Sequence, residues 1–336
     1  MYKLLLNTII FILLILLSSC TNTIEDKTNI NSYDTLKLSY SGNRIFPEMP
    51  SITFIDSLYY ISDGKNCKIY KLNYELKTMN RFGRKGRGPG EFMLIKYILS
   101  TNSKLYALSG GNNVLNIYTL NGKFLKAVRL KKEFFNCKLA IDHHENIYFP
   151  DPESDKLIKK INKDGKILDN FGELINRKGE KLFNRNLGHL LIKKNNIYFI
   201  PLTDPKLLVF NLKGGLIKKI NLINVSDIYR KTYRSNLKLL EKNEFAILND
   251  DVCRTNDNIY ILTHHFKRNS NGWNTGVILR INIKDKIKLD KTYILSSDGS
   301  YNNILVNNNK IYLSDILSNS IHIYRIKESM NYDKKY

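Results

Sequence analysis

Arg81-Phe82-Gly83-Arg84-Lys85-Gly86-Arg87-Gly88-Pro89-Gly90-Glu91-Phe92 holds four glycines and a proline in twelve residues, with an aromatic near each end. Glycine reaches backbone angles that other residues resist, and proline fixes its own φ. The run is therefore a shaped connection between two strands rather than a helix. Two phosphate-binding readings fail on spacing. The dinucleotide fingerprint needs wider glycine spacing and a following helix, and a Walker loop needs Lys-Ser/Thr where Glu91-Phe92 stands.

On both sides of this run one phrase recurs: a β-rich couplet with tyrosine second, a polar break, then another apolar strand. It begins as Leu58-Tyr59-Tyr60-Ile61-Ser62-Asp63 with Lys68–Leu72, and returns as Leu105-Tyr106-Ala107-Leu108 with Leu115–Leu120. Ile147-Tyr148-Phe149 with Leu157–Ile161 and Ile197-Tyr198-Phe199-Ile200 with Leu207–Phe210 follow. Ile259-Tyr260-Ile261-Leu262 with Val277–Ile281 and Ile311-Tyr312-Leu313 with Ile321–Ile326 complete the set. Marker tyrosines 59, 106, 148, 198, 260 and 312 are separated by 47, 42, 50, 62 and 52 residues. Repeats of this length with several short strands build a propeller, because one blade alone cannot cover both faces of its sheet. Asn121-Gly122, Asp164-Gly165 and Gly214-Gly215 are expected as two-residue hairpin turns with φ > 0 at both positions. The expected fold is all-β: a six-bladed β-propeller of four-stranded antiparallel blades. Leu36–Tyr40 is expected to close the ring by completing the last blade, which removes an exposed edge.

The pattern Phe-Gly-x-x-Gly-x-Gly-Pro-Gly-Glu-Phe over 82–92 resembles the strand-to-strand connection of NHL-like repeats in exported six-bladed β-propeller lipoproteins. With the repeats and the leader below, the resemblance covers roughly residues 35 to 328. It implies a propeller at an envelope address. It does not imply an activity, since members of this group largely lack an assigned one and fold alone does not give function.

Met1-Tyr2-Lys3 is a short positive start, and Leu4–Leu17 is apolar except for Asn7 and Thr8. Leu17-Ser18-Ser19-Cys20 matches the lipobox, and the apolar run is too short to span a bilayer. Residues 1–19 read as a signal peptide and Cys20 as the site of lipid attachment. Thr21 rather than Asp at mature position two argues for the outer membrane. Residues 20–34 read as the lipidated cysteine and a flexible tether, which could stretch to about 45 Å. The propeller follows over 35–328 and a polar tail over 329–336.

The formal charge is +22, and about +21 without the leader, whose one charged residue is Lys3. Lysines are spread through every segment, and export removes intracellular nucleic acid as a partner; anionic glycans or lipid headgroups fit better. Beyond Cys20, the three cysteines Cys67, Cys137 and Cys253 lie far apart with no CxxC, which suits buried structural thiols better than zinc.

Alternating strand direction sorts the loops. Naming the strands of a blade a to d from the axis outward, b–c loops and d-to-a connections share one end. This places Asp63, Ser109, Asp151, Asp155, Asp204, His264, His265 and Asp315 there, together with Arg84, Lys85, Arg87 and Glu91 of the glycine run. Each acid has a bland reading as a turn that satisfies its own backbone. His264-His265 is expected on a long polar loop that runs on to Trp273, the only tryptophan. Asp142-His143-His144-Glu145 falls on the opposite end and reads as a turn. The insertion over 226–240 reads as a helix or long loop over one end, with Ser226 as cap and Ile228, Tyr233, Leu237 and Leu240 near one face.

Two functions follow. One is a lipid-anchored binding module that holds a peptide, glycan or partner protein at the channel mouth. The other comes from the resemblance: related six-bladed propellers include metal-dependent lactonases and lyases. Asp63, Asp204, His264 and Asp315 would then hold a single divalent cation such as Ca or Zn, although the blades do not each present an acid at one place. No Ser-His-Asp order and no HExxH is present.

Overall fold

Runs rich in Ile, Leu, Val and Tyr, broken by Asn, Asp and Gly, form twenty-seven short strands and one helix among the described residues of the computed structural model. Those residues are 27–30, 32–36, 38–40, 43–45, 47–101, 103–130, 137–151, 154–175, 186–241, 246–269, 272–284, 287–295 and 299–326, with backbone alone over 32–33, 38–40, 43–45, 239–241, 264–269 and 272–275. The leader, Cys20 and the tail over 329–336 lie outside them.

In chain order, β1 (Lys27–Ile30) and β2 (Ser32–Thr35) precede a hairpin of β3 (Leu38–Tyr40) and β4 (Asn43–Ile45). Blade one is β5 (Ser51–Ile55), β6 (Leu58–Asp63), β7 (Lys68–Leu72) and β8 (Thr78–Phe82). Blade two is β9 (Ile95–Thr101), β10 (Lys104–Ser109), β11 (Val114–Thr119) and β12 (Phe124–Arg129). Blade three is β13 (Ala140–Ile141), β14 (Ile147–Pro150), β15 (Ile158–Ile161) and β16 (Ile167–Phe171). Blade four is β17 (Gly188–Lys193), β18 (Asn196–Pro201), β19 (Lys206–Asn211) and β20 (Leu216–Asn221). After helix α1 (Asp227–Glu241), blade five is β21 (Asn249–Arg254), β22 (Asn258–Asn269), β23 (Gly272–Asn282) and β24 (Lys288–Leu295). Blade six is β25 (Tyr301–Asn307), β26 (Lys310–Asp315) and β27 (Ser320–Arg325), with β2 as its outer strand. Within these blades all pairings are antiparallel, and the innermost strands meet around the axis.

Three expectations need correcting here. The ring is closed by Ser32–Thr35, with Leu36 N still donating to Ile321 O, and not by Leu38–Tyr40: Asp34 pairs with Ile323, whereas Leu38–Tyr40 pairs with Asn43–Ile45. The segment expected as a flexible tether is strand from Lys27 onward. β1 adds a fifth, parallel strand to blade five, and Ile30 is buried there. Its four residues are too few to show a period, and its partner lies about 265 residues away in the chain. The c–d turns are three-residue loops, not two-residue ones. Gly122 donates to Thr119 O and Thr119 to Lys123 O, with φ +83 at the glycine alone, and Gly165 and Gly214 repeat this. That is a type I turn closed by a left-handed glycine.

The marker tyrosines define the core. Tyr60, Tyr106, Tyr148, Tyr198, Tyr260 and Tyr312 each pack against the next blade around the ring, while the residues flanking them pack against the previous one. Blade one departs from the expected marker. Tyr60 takes that position, and Tyr59 faces back to blade six, where its hydroxyl lies 3.0 Å from that of Tyr312. Helix α1 lies over blades four and five. Tyr229 and Tyr233 are buried in the cluster between them, and the Ser226 hydroxyl accepts the Tyr229 amide at 3.4 Å as an N-cap.

Candidate functional site

The b–c and d-to-a connections do share one end, and they bring most of the expected acids to equivalent places, where their own turns engage them. Buried Asp63 accepts the Glu48 and Asn66 amides at 3.2 and 3.1 Å and the Asn66 side chain at 3.0 Å. Asp315 accepts the Ser300 and Leu317 amides and the Ser318 hydroxyl. Asp151 pairs with Lys159, and Asp204 with Lys206 at 2.8 Å. The Ser109 hydroxyl accepts the Met93 amide, and exposed Asp155 lies beside Ser154. Among the described residues no three His, Cys, Asp or Glu side chains gather as a cation site.

The glycine run encloses an anion of its own. Glu91 Oε2 accepts the Gly88 amide at 2.8 Å, and its Oε1 meets Arg84 Nε at 2.7 Å. These contacts hold the Glu91 carboxyl below the usual carboxylate range, the Gly88 amide first among them. A Cβ on Gly86 would collide with that carboxylate. Lys85 and Arg87 stay exposed.

His264 and His265 were expected on a loop and instead lie in β22, paired with Thr275 and Asn274. Trp273 lies in β23. The polar residues of this segment hid its strand character. On the opposite end, Asp142 accepts the His144 and Asn146 amides and the Tyr148 hydroxyl, which makes a turn of Asp142–Asn146.

The structure brings together a set that sequence reasoning missed. Ser51, Tyr97, His189, Asp251 and Asn303 on five innermost strands, and Lys138 just before the sixth, occupy one equivalent position. Each stands two residues before the cross-strand partner of its marker tyrosine: Thr53, Leu99, Ala140, Leu191, Cys253 and Leu305. The innermost strand of a sheet has a free edge whose amides need acceptors. In four blades the ring residue supplies one. Ser51 Oγ accepts Ile98 N at 3.3 Å, Tyr97 OH accepts Leu139 N at 2.9 Å, Asp251 Oδ2 accepts Ile304 N at 2.8 Å, and Asn303 Oδ1 accepts Ile52 N at 2.9 Å.

Lysine has no acceptor, and the pattern changes at Lys138. Its ammonium extends from blade three to blade five, donating to Asp251 Oδ2 at 2.7 Å and Val252 O at 2.8 Å. His189 Nδ1 accepts the Lys138 amide at 3.1 Å, and Asn303 donates to Asp251 at 2.9 Å. The hydrogen bonds thus run through all six blades and return. Burial drives the His189 imidazole down to about 4, so it stays neutral. Burial pushes Cys137 and Cys253 beside the ring up to about 12, and raises Tyr97 as well. Their thiols and phenol are therefore poor nucleophiles.

The ring closes the axis. Ser51, Tyr97, His189, Asp251 and Asn303 are all at most 5% exposed. Between it and the a–b turns lies a blind cavity of about 330 Å³, lined by all six inner strands, with Lys138 at its floor and exposed Arg254 at its opening. A groove of about 550 Å³ runs between blades three and four over Phe171, Leu208 and Phe210, with Lys156, Lys206 and Lys219 among its lining.

A family model described as a 6-bladed beta-propeller matches residues 36–227. No curated protein matches the chain. A Bacteroides fragilis protein described as exported has a similar structure: TM-score 0.56, 15% identity, covering 90% of this chain and 100% of its own. A member of the DUF4221 family from Bacteroides vulgatus gives 0.57 at 10% identity over 89% and 97% of the two chains. A catalytically inactive virginiamycin B lyase from Staphylococcus aureus with quinupristin gives 0.53 at 13% identity over 88% and 99%. At such identities the likeness is one of fold.

Proposed function

The chain belongs to the 6-bladed beta-propeller family DUF5128, and from that premise we propose that it is a lipid-anchored binding module of the cell envelope. Cys20 of the lipobox carries the anchor, and Thr21 directs the protein to the outer membrane. Acyl chains on one cysteine are enough for stable attachment when two or more are present. The ligand is a peptide, a glycan or a partner protein that meets the end bearing the glycine run, α1 and the blade-five hairpin.

The hairpin is the observation that carries this reading. β22 and β23 pair from Asn258↔Asn282 through His265↔Asn274 and again at Asn269↔Gly272, six residues past Thr263, with register shifts after Thr263 and after His265. Thr263 is where the equivalent strands of blades one and six stop, at Asp63 and Asp315. A paired arm beyond the ring offers backbone edges to a partner. The divalent-ion reading loses support because Asp63 and Asp315 are engaged by their turns and Asp204 by Lys206.

Peptide and glycan arrays probed with the acyl-free protein, and cross-linking in the intact envelope, test this. Binding should vanish when 264–275 is replaced by Asn-Gly between Thr263 and Gly276, with the melting temperature unchanged. Binding that survives the excision sinks the reading, as does no binding by either method. Cys20→Ala should move the protein out of the membrane fraction.

A further inference from the structure

We infer that the blind axial cavity is a binding site for a small organic carboxylate with an aliphatic body, entering from the a–b turn end with its anionic group on Arg254. This site is separate from the hairpin end and does not rest on the reading above.

Four features support the assignment. The first is shape. The ring shuts one end, so the cavity is a cup rather than a passage. From Asp251 at the ring to Arg254 at the opening is three residues of extended strand, or about 10 Å of depth. Its volume of about 330 Å³ falls at the lower end of the range for small-molecule sites.

The second is the wall. Leu99, Leu191 and Leu305 are half-buried and line the cavity from blades two, four and six. Thr53, Ser100 and Thr101 add hydroxyls toward the opening.

The third is charge. Lys138 and Arg254 line the cup, and no Asp or Glu does. Asp251 balances Lys138 from behind the floor. Arg254 has no such partner among the lining residues, and its planar guanidinium suits a carboxylate.

The fourth is rigidity. The cross-blade hydrogen bonds hold the six inner strands in register, so a ligand meets a formed site and pays little for ordering it.

Isothermal titration of the acyl-free protein with octanoate, octanol and octylamine tests the inference. Octanoate should bind one per chain and octylamine should not bind. Arg254→Gln should weaken octanoate about tenfold, the loss of one charge-assisted hydrogen bond, and leave octanol unchanged. Arg254→Lys should restore part of the affinity. Ser100→Trp places an indole at the opening and should abolish binding of both. The inference fails if octanoate shows no saturable heat, if octylamine binds as well as octanoate, or if Arg254→Gln binds octanoate like the parent protein. If Ser100→Trp does not fold, the Arg254 pair still decides.

Discussion

Lys138 and Asp251 belong to blades three and five, yet Lys138 Nζ lies 2.7 Å from Asp251 Oδ2, with His189 of the intervening blade 3.9 Å from the same carboxylate. The pair is an ion bridge that skips a blade. Asp251 is 3% exposed and the Lys138 side chain 14%, so the carboxylate has no water to fall back on.

Removing one partner should therefore be costly. Asp251→Leu leaves the Lys138 ammonium, the Ile304 amide and the Asn303 side chain without their acceptor. A loss of about 3–5 kcal/mol is expected, a fall in melting temperature on the order of 10 °C. Lys138→Met should cost less, because the carboxylate keeps two donors. Thermal unfolding of both variants checks the order.

His189 gives the ring a pH dependence of known sign. Burial holds its pKa at about 4, below the ordinary 6.5. The unfolded chain takes up a proton below about 6.5 that the folded protein refuses until about 4. The stability tied to neutral His189 is complete above 6.5 and is lost as pH falls toward 4, about 3 kcal/mol in all. Urea unfolding at pH 7 and pH 4.5 should show a drop in the parent that shrinks in His189→Gln. An equal drop in both would show that other groups carry it.

Gly83 of the glycine run and Gly165 of the blade-three c–d turn separate backbone angle from space. Gly83 has φ +88, and an added Cβ would stand 2.8 Å from Cys67 O. Gly165 has φ +85, but its added Cβ would meet nothing nearer than 3.5 Å. Gly165→Ala should cost about 1–2 kcal/mol from conformation alone, and Gly83→Ala more. Chemical denaturation of the two variants measures the difference.

The thiols offer a simple check on burial. Cys67, Cys137 and Cys253 are free and buried. A thiol reagent at neutral pH should label none of them in the native protein and all three after denaturation. Rapid labelling of the native state, or a missing thiol after denaturation, would contradict the packing.

Much of the architecture was legible because each blade repeats the same local solution. The tyrosine couplets marked the strands that carry the inter-blade core, and their spacing yields six blades. The misreading at Tyr59 came from two adjacent tyrosines, which sequence cannot assign to opposite faces without a register. The insertion read as a helix or long loop is a helix: Ser226 caps it, Ile228, Tyr233 and Leu237 lie toward the core together with Tyr229, which the reading omitted, and the Leu240 side chain lies outside the described residues. The ring was present in the sequence as a polar residue nine positions before each marker tyrosine, ten in blade three, where the a–b turn runs over Asp142–Asn146. It escaped notice because Ser, Tyr, Lys, His, Asp and Asn share no residue type. All but Lys138 share only the task of accepting a backbone amide of a neighbouring blade.

The sequence alone determined the repeat, the blade count and the turn-forming residues, because these depend on neighbours within one blade. Only the tertiary structure decided that Lys27–Ile30 and Ser32–Thr35 join blades five and six, that the axis is shut, and that Lys138 finds Asp251. Each of those depends on which strand edges and side chains meet once six blades have closed into a ring. Partners more than a hundred residues apart leave no local pattern in the chain.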